Sequence, residues 1–386
     1  MGKLVGVVGK PNSGKSTFFS AATLAHAEIA AYPFTTIKPN RGVGYVKVKC
    51  ACKEFNKTCN PQNSVCENGT RLIPIEMLDV AGLVPGAHMG KGMGNQFLDD
   101  LRQADALIHI VDASGSTDSE GKQCEPGTHN PIADVKFLEE ELDLWFINLL
   151  KKDWQKISKE VEQSSKNPEK VLAEKLSGLG ITEKQIAKSM KESGLAVEDF
   201  ARALRKNSKP IIICANKSDL KESEKFLDEL KISHNAIPTS ADSELALRRA
   251  AEKGLIEYVP GTNDFKIARE LSDSQKKALE FIRENILKKL GNTGVQQCIN
   301  KAVFKILNLI VVYPVEDENK LTDKHGNVLP HTFLVIRGTT ARELAYKVHT
   351  QIGEKFIAAV DARTKKRLAA DYELKDRDII KIMISH

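Results

Sequence analysis

With 386 residues, 41% of them hydrophobic and 28% charged, the chain is too long for one core and too apolar to be disordered, so two or three globular domains are expected. No apolar run approaches the ~18–20 residues of a membrane span, and the start MGKLVGVVGK enters a strand at once, so a cytosolic, monomeric protein without a membrane partner is expected. The net charge of +6 is concentrated late, residues 320–386 holding 13 Lys/Arg against 8 Asp/Glu, a bias that favours a polyanionic partner such as RNA.

Lys3 to Val8 reads as a buried strand, and Gly9-Lys10-Pro11-Asn12-Ser13-Gly14-Lys15-Ser16 follows it directly. This fits G-x-x-x-x-G-K-[ST], the phosphate-binding P-loop, in the strand-loop-helix setting that gives the motif physical meaning. The glycines let consecutive N–H groups turn toward a triphosphate. Lys15 is placed to reach the β- and γ-phosphates, and Ser16 to offer a hydroxyl to Mg²⁺. The helix expected over Ser16 to Ala27 presents its N-terminus to the same phosphates, with Thr17 in its first turn.

Tyr32-Pro33-Phe34-Thr35-Thr36-Ile37-Lys38-Pro39-Asn40 holds two prolines and no helical period. A nucleotide switch needs here a threonine whose hydroxyl closes on Mg²⁺; Thr36 is the first choice and Thr35 the second. Gly42 to Lys49 alternates as a half-exposed strand. Four of the seven cysteines follow, Cys50, Cys52, Cys59 and Cys66, in a C-x-C-x6-C-x6-C spacing that differs from the paired CxxC of zinc ribbons. A small zinc knuckle and reduced structural thiols both remain open.

The apolar run Leu72 to Leu78 ends in Asp79-Val80-Ala81-Gly82, an acidic residue at a strand end followed by x-x-Gly. This is the Walker-B arrangement: Asp79 supports Mg²⁺ and the Gly82 N–H reaches the γ-phosphate. Leu83 stands where Ras-type enzymes carry a water-orienting glutamine, and leucine cannot hydrogen-bond water. The Gly-rich stretch Val84 to Asp99 reads as a mobile switch entering a helix near Gln96; His88 within it is a candidate base, though a lone loop histidine is more often simply exposed.

Ala106 to Asp112 is the next strand, Ala113 to Pro131 a polar loop, and residues 132–207 a helical insertion whose Leu138, Leu142, Trp145, Phe146 and Leu149 stripe is expected in a core. Pro210 to Ala215 is a strand leading into Asn216-Lys217-Ser218-Asp219. N-K-x-D reads guanine: the Asp219 carboxylate accepts from N1–H and the exocyclic amine, Asn216 bonds the purine edge, and the Lys217 stem covers the ring. Adenine offers neither donor, which leaves the carboxylate unpaired. A short strand near Ala236 to Thr239 delivers Ser240-Ala241 to guanine O6. Residues 243–302 are again mostly helical; beyond them come a strand at Pro330 to Ile336, a capping box at Thr340-Ala341-Arg342-Glu343 opening a helix to His349, and a closing strand over Ile379 to Ile384.

The chain resembles the Obg-like branch of translation-factor GTPases, nearest its YchF-related members of archaea and eukaryotes. The resemblance is carried by Lys10 to Thr17, Tyr32 to Thr36, Asp79 to Ala87, Gly90 to Leu98 and, from about Tyr313, a segment similar to a TGS domain with Leu329-Pro330-His331 and Asp378-Ile379-Ile380. It implies an α/β fold: a P-loop NTPase G domain with a mostly parallel sheet, helices on both faces and a helical insertion, over residues 1–302, then a β-grasp-like TGS domain over 303–386. It further implies GTP and GDP as ligands, slow intrinsic hydrolysis, Mg²⁺, and association with ribosomes or RNA. Asn12 matches the P-loop asparagine that helps hold K⁺ in potassium-stimulated relatives, making K⁺ a second candidate cofactor. Well-known YchF relatives carry an altered fourth motif and prefer ATP, whereas Asn216 to Asp219 is intact here, restoring the expectation of GTP. The alternative is an RNA- or ribosome-binding adaptor in which bound nucleotide is mainly structural.

Overall fold

A computed structural model describes residues 3–24, 40–82, 94–152, 154–163, 167–194 and 196–385. Its larger sheet is built from β1 (Leu4–Val8), β2 (Arg41–Lys49), β3 (Val65–Glu67), β4 (Thr70–Asp79), β5 (Ala106–Asp112), β6 (Ile211–Asn216) and β7 (Ile237–Pro238). The strand order is β2-β4-β1-β5-β6-β7, with β3 beside β4. β1 lies parallel to both β4 and β5, β5 to β6, and β6 to β7. Every residue of β1 and of β5 is buried, as strands covered on both faces require; β1 therefore reads as a continuous apolar run, and β5 as one broken only by His109 and its terminal Asp112.

The helices up to residue 282 are α1 (Lys15–Thr23), α2 (Gly94–Gln103), α3 (Pro131–Lys151), α4 (Trp154–Gln163), α5 (Pro168–Lys175), α6 (Glu183–Ser193), α7 (Val197–Ser208), α8 (Glu224–His234), α9 (Ala241–Glu252) and α10 (Asp273–Ile282), of which α1, α2, α3 and α8 pack on strands of this sheet. α3 begins where the sequence permits: Asn130 accepts from the Ile132 N–H and Pro131 occupies the first turn, where no donor is needed. The expected stripe is core, Leu138, Leu142, Trp145 and Phe146 packing with Leu172, Ile186, Phe200 and Leu204. Asp143 of α3 is held by Arg205 at 2.7 Å and Arg202 at 3.1 Å from α7. The stretch after α9 is less purely helical than expected, since β8 (Ile256–Glu257) and β9 (Lys266–Ile267) form an antiparallel hairpin before α10.

By contact the described chain forms two compact units, one of residues 3–24, 40–43 and 76–298, the other of 44–75 and 299–385. The second contains a sheet of β10 (Leu309–Val315), β11 (Phe333–Ile336), β12 (Phe356–Asp361), β13 (Arg367–Leu368) and β14 (Asp378–Ile384), in the order β11-β10-β14-β12-β13. β10 and β14 are parallel and the other neighbours antiparallel. The Thr340–Glu343 capping box opens a helix over Ala341–Val348 that buries Ala341 and Leu344 with Ile310, Val312, Val335 and Ile380. The cysteine segment belongs to this second unit.

Candidate functional site

β1 ends at the P-loop, and two contacts set its glycines. A Cβ on Gly9 would lie 2.7 Å from the Ile110 carbonyl oxygen. Gly14 has φ +90° and a Cβ there would lie 2.2 Å from the Asn216 amide nitrogen. Ser13 is fully buried, its hydroxyl donating to the Lys10 carbonyl at 2.9 Å. α1 starts at Lys15, and the first N–H to find a helical partner is that of Phe18, to Gly14 O at 2.9 Å. The N–H groups of Lys15, Ser16 and Thr17 lie in the first turn, where no helical acceptor precedes them and an anion is favoured.

Asp79 ends β4 and pairs in register with Val7 of β1, one residue before the strand gives way to the loop. That register brings its carboxylate to the Lys15 ammonium, with which it forms an ion pair. Ser16 is exposed and Thr17 half-buried on the same turn. Gly82 follows, with Pro11 Cγ, 3.9 Å away, as the nearest group to a Cβ built there.

On the neighbouring side β6 delivers Asn216, which is buried and committed at both ends of its amide. Nδ2 donates to the Ser13 carbonyl at 2.9 Å and Oδ1 accepts from the Ala241 N–H at 3.0 Å. One side chain thus ties the P-loop to the loop after β7, leaving one donor and one lone pair for a ligand. Lys217 turns at φ +61° and its ammonium donates to Asp112 at 2.9 Å and to the Ser116 hydroxyl at 3.0 Å. Ser218 binds back to Ala215 O and Thr239 N. Asp219 is half-buried, and its carboxylate has no partner among the described residues. Ser240 is buried and caps α9, accepting from Ser243 N.

The structure adds a residue and a loop that the motifs do not contain. Asp112, at the end of β5, accepts from Ser114 N and Oγ, Ser116 Oγ, Thr117 Oγ1 and Lys217 Nζ, all within 3.1 Å. Burial alone would raise its pKa; the hydrogen bonds from Ser114 and Lys217 and the Lys217 charge overcome this and hold it below the ordinary carboxylate value. The loop it organises lies along the P-loop: buried Lys10 donates to Thr117 O at 2.8 Å and Asp118 O at 2.9 Å and pairs with Asp134 at 2.7 Å, while Asn12 donates to Gly121 O at 2.9 Å. The polar loop expected over Ala113 to Pro131 is therefore partly a packed wall of the site. Its sequence signal is Asp112-Ala113-Ser114-Gly115-Ser116-Thr117, an aspartate followed by hydroxyls able to fold back onto it.

Gly9, Asn12, Ser13, Gly14, Lys15, Ser16, Asp79, Asn216, Lys217, Ser240 and Ala241 are thus brought together by the carboxyl ends of parallel strands and their hydrogen bonds. Thr35, Thr36, Leu83 and His88 lie outside the described residues.

Three family models match: a 50S ribosome-binding GTPase over residues 4–135, an Obg-like GTPase YGR210-like, G4 motif-containing domain over 214–317, and a TGS domain over 321–384. The chain is 54% identical to a GTP-binding protein of Methanocaldococcus jannaschii, with 98% of each chain covered. It is 30% identical to the ribosome-binding ATPase YchF of Bacillus subtilis, again with 98% of each covered. Among solved structures, a GTP-binding protein from Pyrococcus horikoshii OT3 is 42% identical, with TM-score 0.78 and 99% of each chain covered.

Proposed function

The chain belongs to the Obg-like, YchF-related GTPase family, and from that premise we propose that it binds GTP in preference to ATP, hydrolyses it slowly to GDP and phosphate, and acts as a nucleotide-dependent switch on ribosomes or another RNA partner. The observation that carries this reading is the placement of Asp219. It follows an Asn216 amide that ties the P-loop to the Ala241 backbone, and its carboxylate is left free to accept from guanine N1–H and the exocyclic amine. The B. subtilis relative is named for ribosome binding and ATP, and the M. jannaschii relative for GTP; the intact N-K-x-D favours the second assignment here.

On this reading Lys15 balances the β- and γ-phosphate charge, and the first-turn N–H groups of α1 hold the same oxygens. Ser16 and Asp79 offer an exposed hydroxyl and a carboxylate, a small set of hard oxygens that suits Mg²⁺, an ion that keeps waters and phosphate oxygens in its shell. Together with Thr36 they would hold it, and when bound it neutralises charge between the phosphates. Asn12 is the residue assigned to K⁺. Gly82 and Thr36 are the backbone positions that sense the γ-phosphate. Leu83 in the glutamine position cannot hydrogen-bond water, so turnover is slow until a partner completes the site. The same reading gives a cytosolic monomer; no described helix is long and apolar enough to cross a membrane.

The test is nucleotide binding and single-turnover hydrolysis of GTP and ATP by the purified chain, in K⁺ and in Na⁺, with and without ribosomes. GTP preference, with turnover raised by ribosomes or K⁺, is the expected result. ATP preference would refute the base assignment, and binding without turnover in every condition would leave a nucleotide-bound adaptor.

A further inference from the structure

The second compact unit contains a group of side chains that nucleotide chemistry does not use. Cys50 follows β2, Cys52 lies in a tight turn over Ala51–Phe55, Cys59 lies in the loop beyond it, and Cys66 is the middle residue of β3. Their four sulfur atoms all lie within 4.8 Å of one another, with Cys50–Cys59 and Cys52–Cys66 each at 3.9 Å. All four are free thiols, and Cys50 and Cys52 are buried. A tetrahedral centre with metal–sulfur bonds of ~2.3 Å has sulfur–sulfur edges of ~3.8 Å; the Cys50–Cys59 and Cys52–Cys66 pairs already stand at 3.9 Å, and the remaining pairs need close by no more than about 1 Å to complete a four-thiolate shell. A disulfide needs its sulfurs ~2.05 Å apart, far closer than either pair.

A second observation concerns charge. Arg71 is fully buried, its Nε donating to Cys50 Sγ at 3.4 Å, Nη1 to Ser64 Oγ at 3.0 Å and Nη2 to Leu329 O at 3.2 Å, with the Tyr313 ring 5.4 Å from the guanidinium carbon. It has no carboxylate partner among the described residues. An unbalanced buried guanidinium is costly, and none of the other groups named carries a negative charge. Four thiolates around a divalent cation carry a net charge of −2, which supplies the missing counter-charge. The N–H aimed at a ligand sulfur is the outer contact such centres use to orient and stabilise their thiolates.

We propose that Cys50, Cys52, Cys59 and Cys66 bind one Zn²⁺ in a closed, structural site, with Arg71 as its outer hydrogen-bond donor. Thiolate ligands select soft or borderline ions, and zinc imposes no d-electron geometry on the C-x-C-x6-C-x6-C spacing. Four protein ligands leave no open position, so the site builds structure and performs no reaction. What it builds is specific. The stretch between Cys59 and Cys66 is laced to the residues around Leu329: Asn60 N donates to Val328 O at 3.1 Å, Gln62 N to Pro330 O at 2.7 Å, and Thr332 N to Asn63 Oδ1 at 2.9 Å. A metal that fixes Cys59 and Cys66 fixes this ladder between them.

The experiment measures metal in the full-length protein, purified without chelator, by inductively coupled plasma mass spectrometry. Thiols are then titrated with an organomercurial in the presence of a chromophoric zinc indicator. The expected result is one zinc per chain, released as the cluster thiols react. Replacing it with Co²⁺ should give the intense visible bands of tetrahedral cobalt-thiolate. Cys59→Ser and Cys66→Ser should lose the metal and Cys124→Ser, outside the cluster, should retain it. The wild-type measurement stands even if the first two variants do not fold. Stoichiometric zinc absent from the purified protein, with the cluster thiols reacting and no zinc released, would overturn the proposal. So would two disulfides found by mass, or iron in place of zinc.

Discussion

Replacing Asn216 by alanine separates a strut from a base-reading contact. The substitution removes the donor to the Ser13 carbonyl at 2.9 Å and the acceptor for the Ala241 N–H at 3.0 Å. Ser13 is 0% and Ala241 1% exposed, so water does not replace either partner without cost. A buried group left unsatisfied costs ~1–3 kcal/mol, and two such groups give a loss of ~2–6 kcal/mol, a large share of the ~5–15 kcal/mol by which domains are stable. The change acts on the P-loop and on the loop after β7, and the purine edge that Asn216 is expected to bond is one that guanine and adenine share. Affinity for GTP and for ATP should therefore fall by a common factor. Urea unfolding of protein stripped of nucleotide should show a lower midpoint at unchanged slope, and titration calorimetry a constant GTP/ATP ratio. Unchanged stability, or a selective loss of GTP with ATP binding intact, would refute the strut.

Asp219→Asn has the opposite signature. Two charge-assisted hydrogen bonds at ~1.5–3 kcal/mol each put the loss of GTP affinity at ~10²–10⁴-fold, with ATP unaffected and xanthosine triphosphate improved, because its C2 carbonyl accepts from the new amide. Competition against a fluorescent guanine nucleotide measures all three, and equal losses for GTP and ATP would remove Asp219 from base recognition. His109 supplies a pH test: burial, reinforced by the Lys10 charge, pushes its pKa down to about 3, so the folded protein keeps it neutral while the unfolded chain takes up a proton below ~6.5. Stability from this residue is full above pH 6.5 and falls as pH drops toward 3, by up to ~5 kcal/mol at 1.36 kcal/mol per unit. His109→Leu should flatten that part of the slope in urea midpoints taken at pH 7 and pH 5, and an identical slope in both proteins would exclude His109 as its source.

The nucleotide loops were legible because their chemistry restricts residue type at each step. Gly14 stands at φ +90° against Asn216, Asp79 ends a strand in register with Val7, and Thr340 and Glu343 form the capping box that their spacing requires. The Trp145–Phe146 stripe was legible because a helical period fixes one face. What escaped was non-local. β12 holds Ala358 and Ala359, poor strand formers alone, and is fixed by pairing with β14 more than twenty residues on. The β3–β4 hairpin had a readable turn, Asn68-Gly69, both at positive φ, and β4 was legible as the apolar run Leu72 to Leu78, but β3 is only three residues centred on Cys66 and shows no apolar period. The role of Asp112 was hidden because composition describes 113–131 only as polar, while the donors that hold the carboxylate come from four residues folded back upon it.

The Lys15–Asp79 ion pair bears on how the site should be dissected. The ammonium assigned to phosphate is also the counter-charge of the carboxylate assigned to Mg²⁺, and both side chains are largely enclosed, at 15% and 27% exposure. Lys15→Ala therefore removes a phosphate contact and leaves Asp79 without its cation. Asp79→Ala removes a metal contact and releases Lys15. Neither single change reports one role, and their effects will not add, because each deletes half of a shared interaction. A double-mutant cycle across the two positions, read once by nucleotide affinity and once by single-turnover rate, isolates the shared term. If the pair only holds the loop, the coupling has the same size in both readouts. If Lys15 also stabilises charge developing on the transferred phosphoryl group, a rate loss remains in Lys15→Ala that the coupling does not account for.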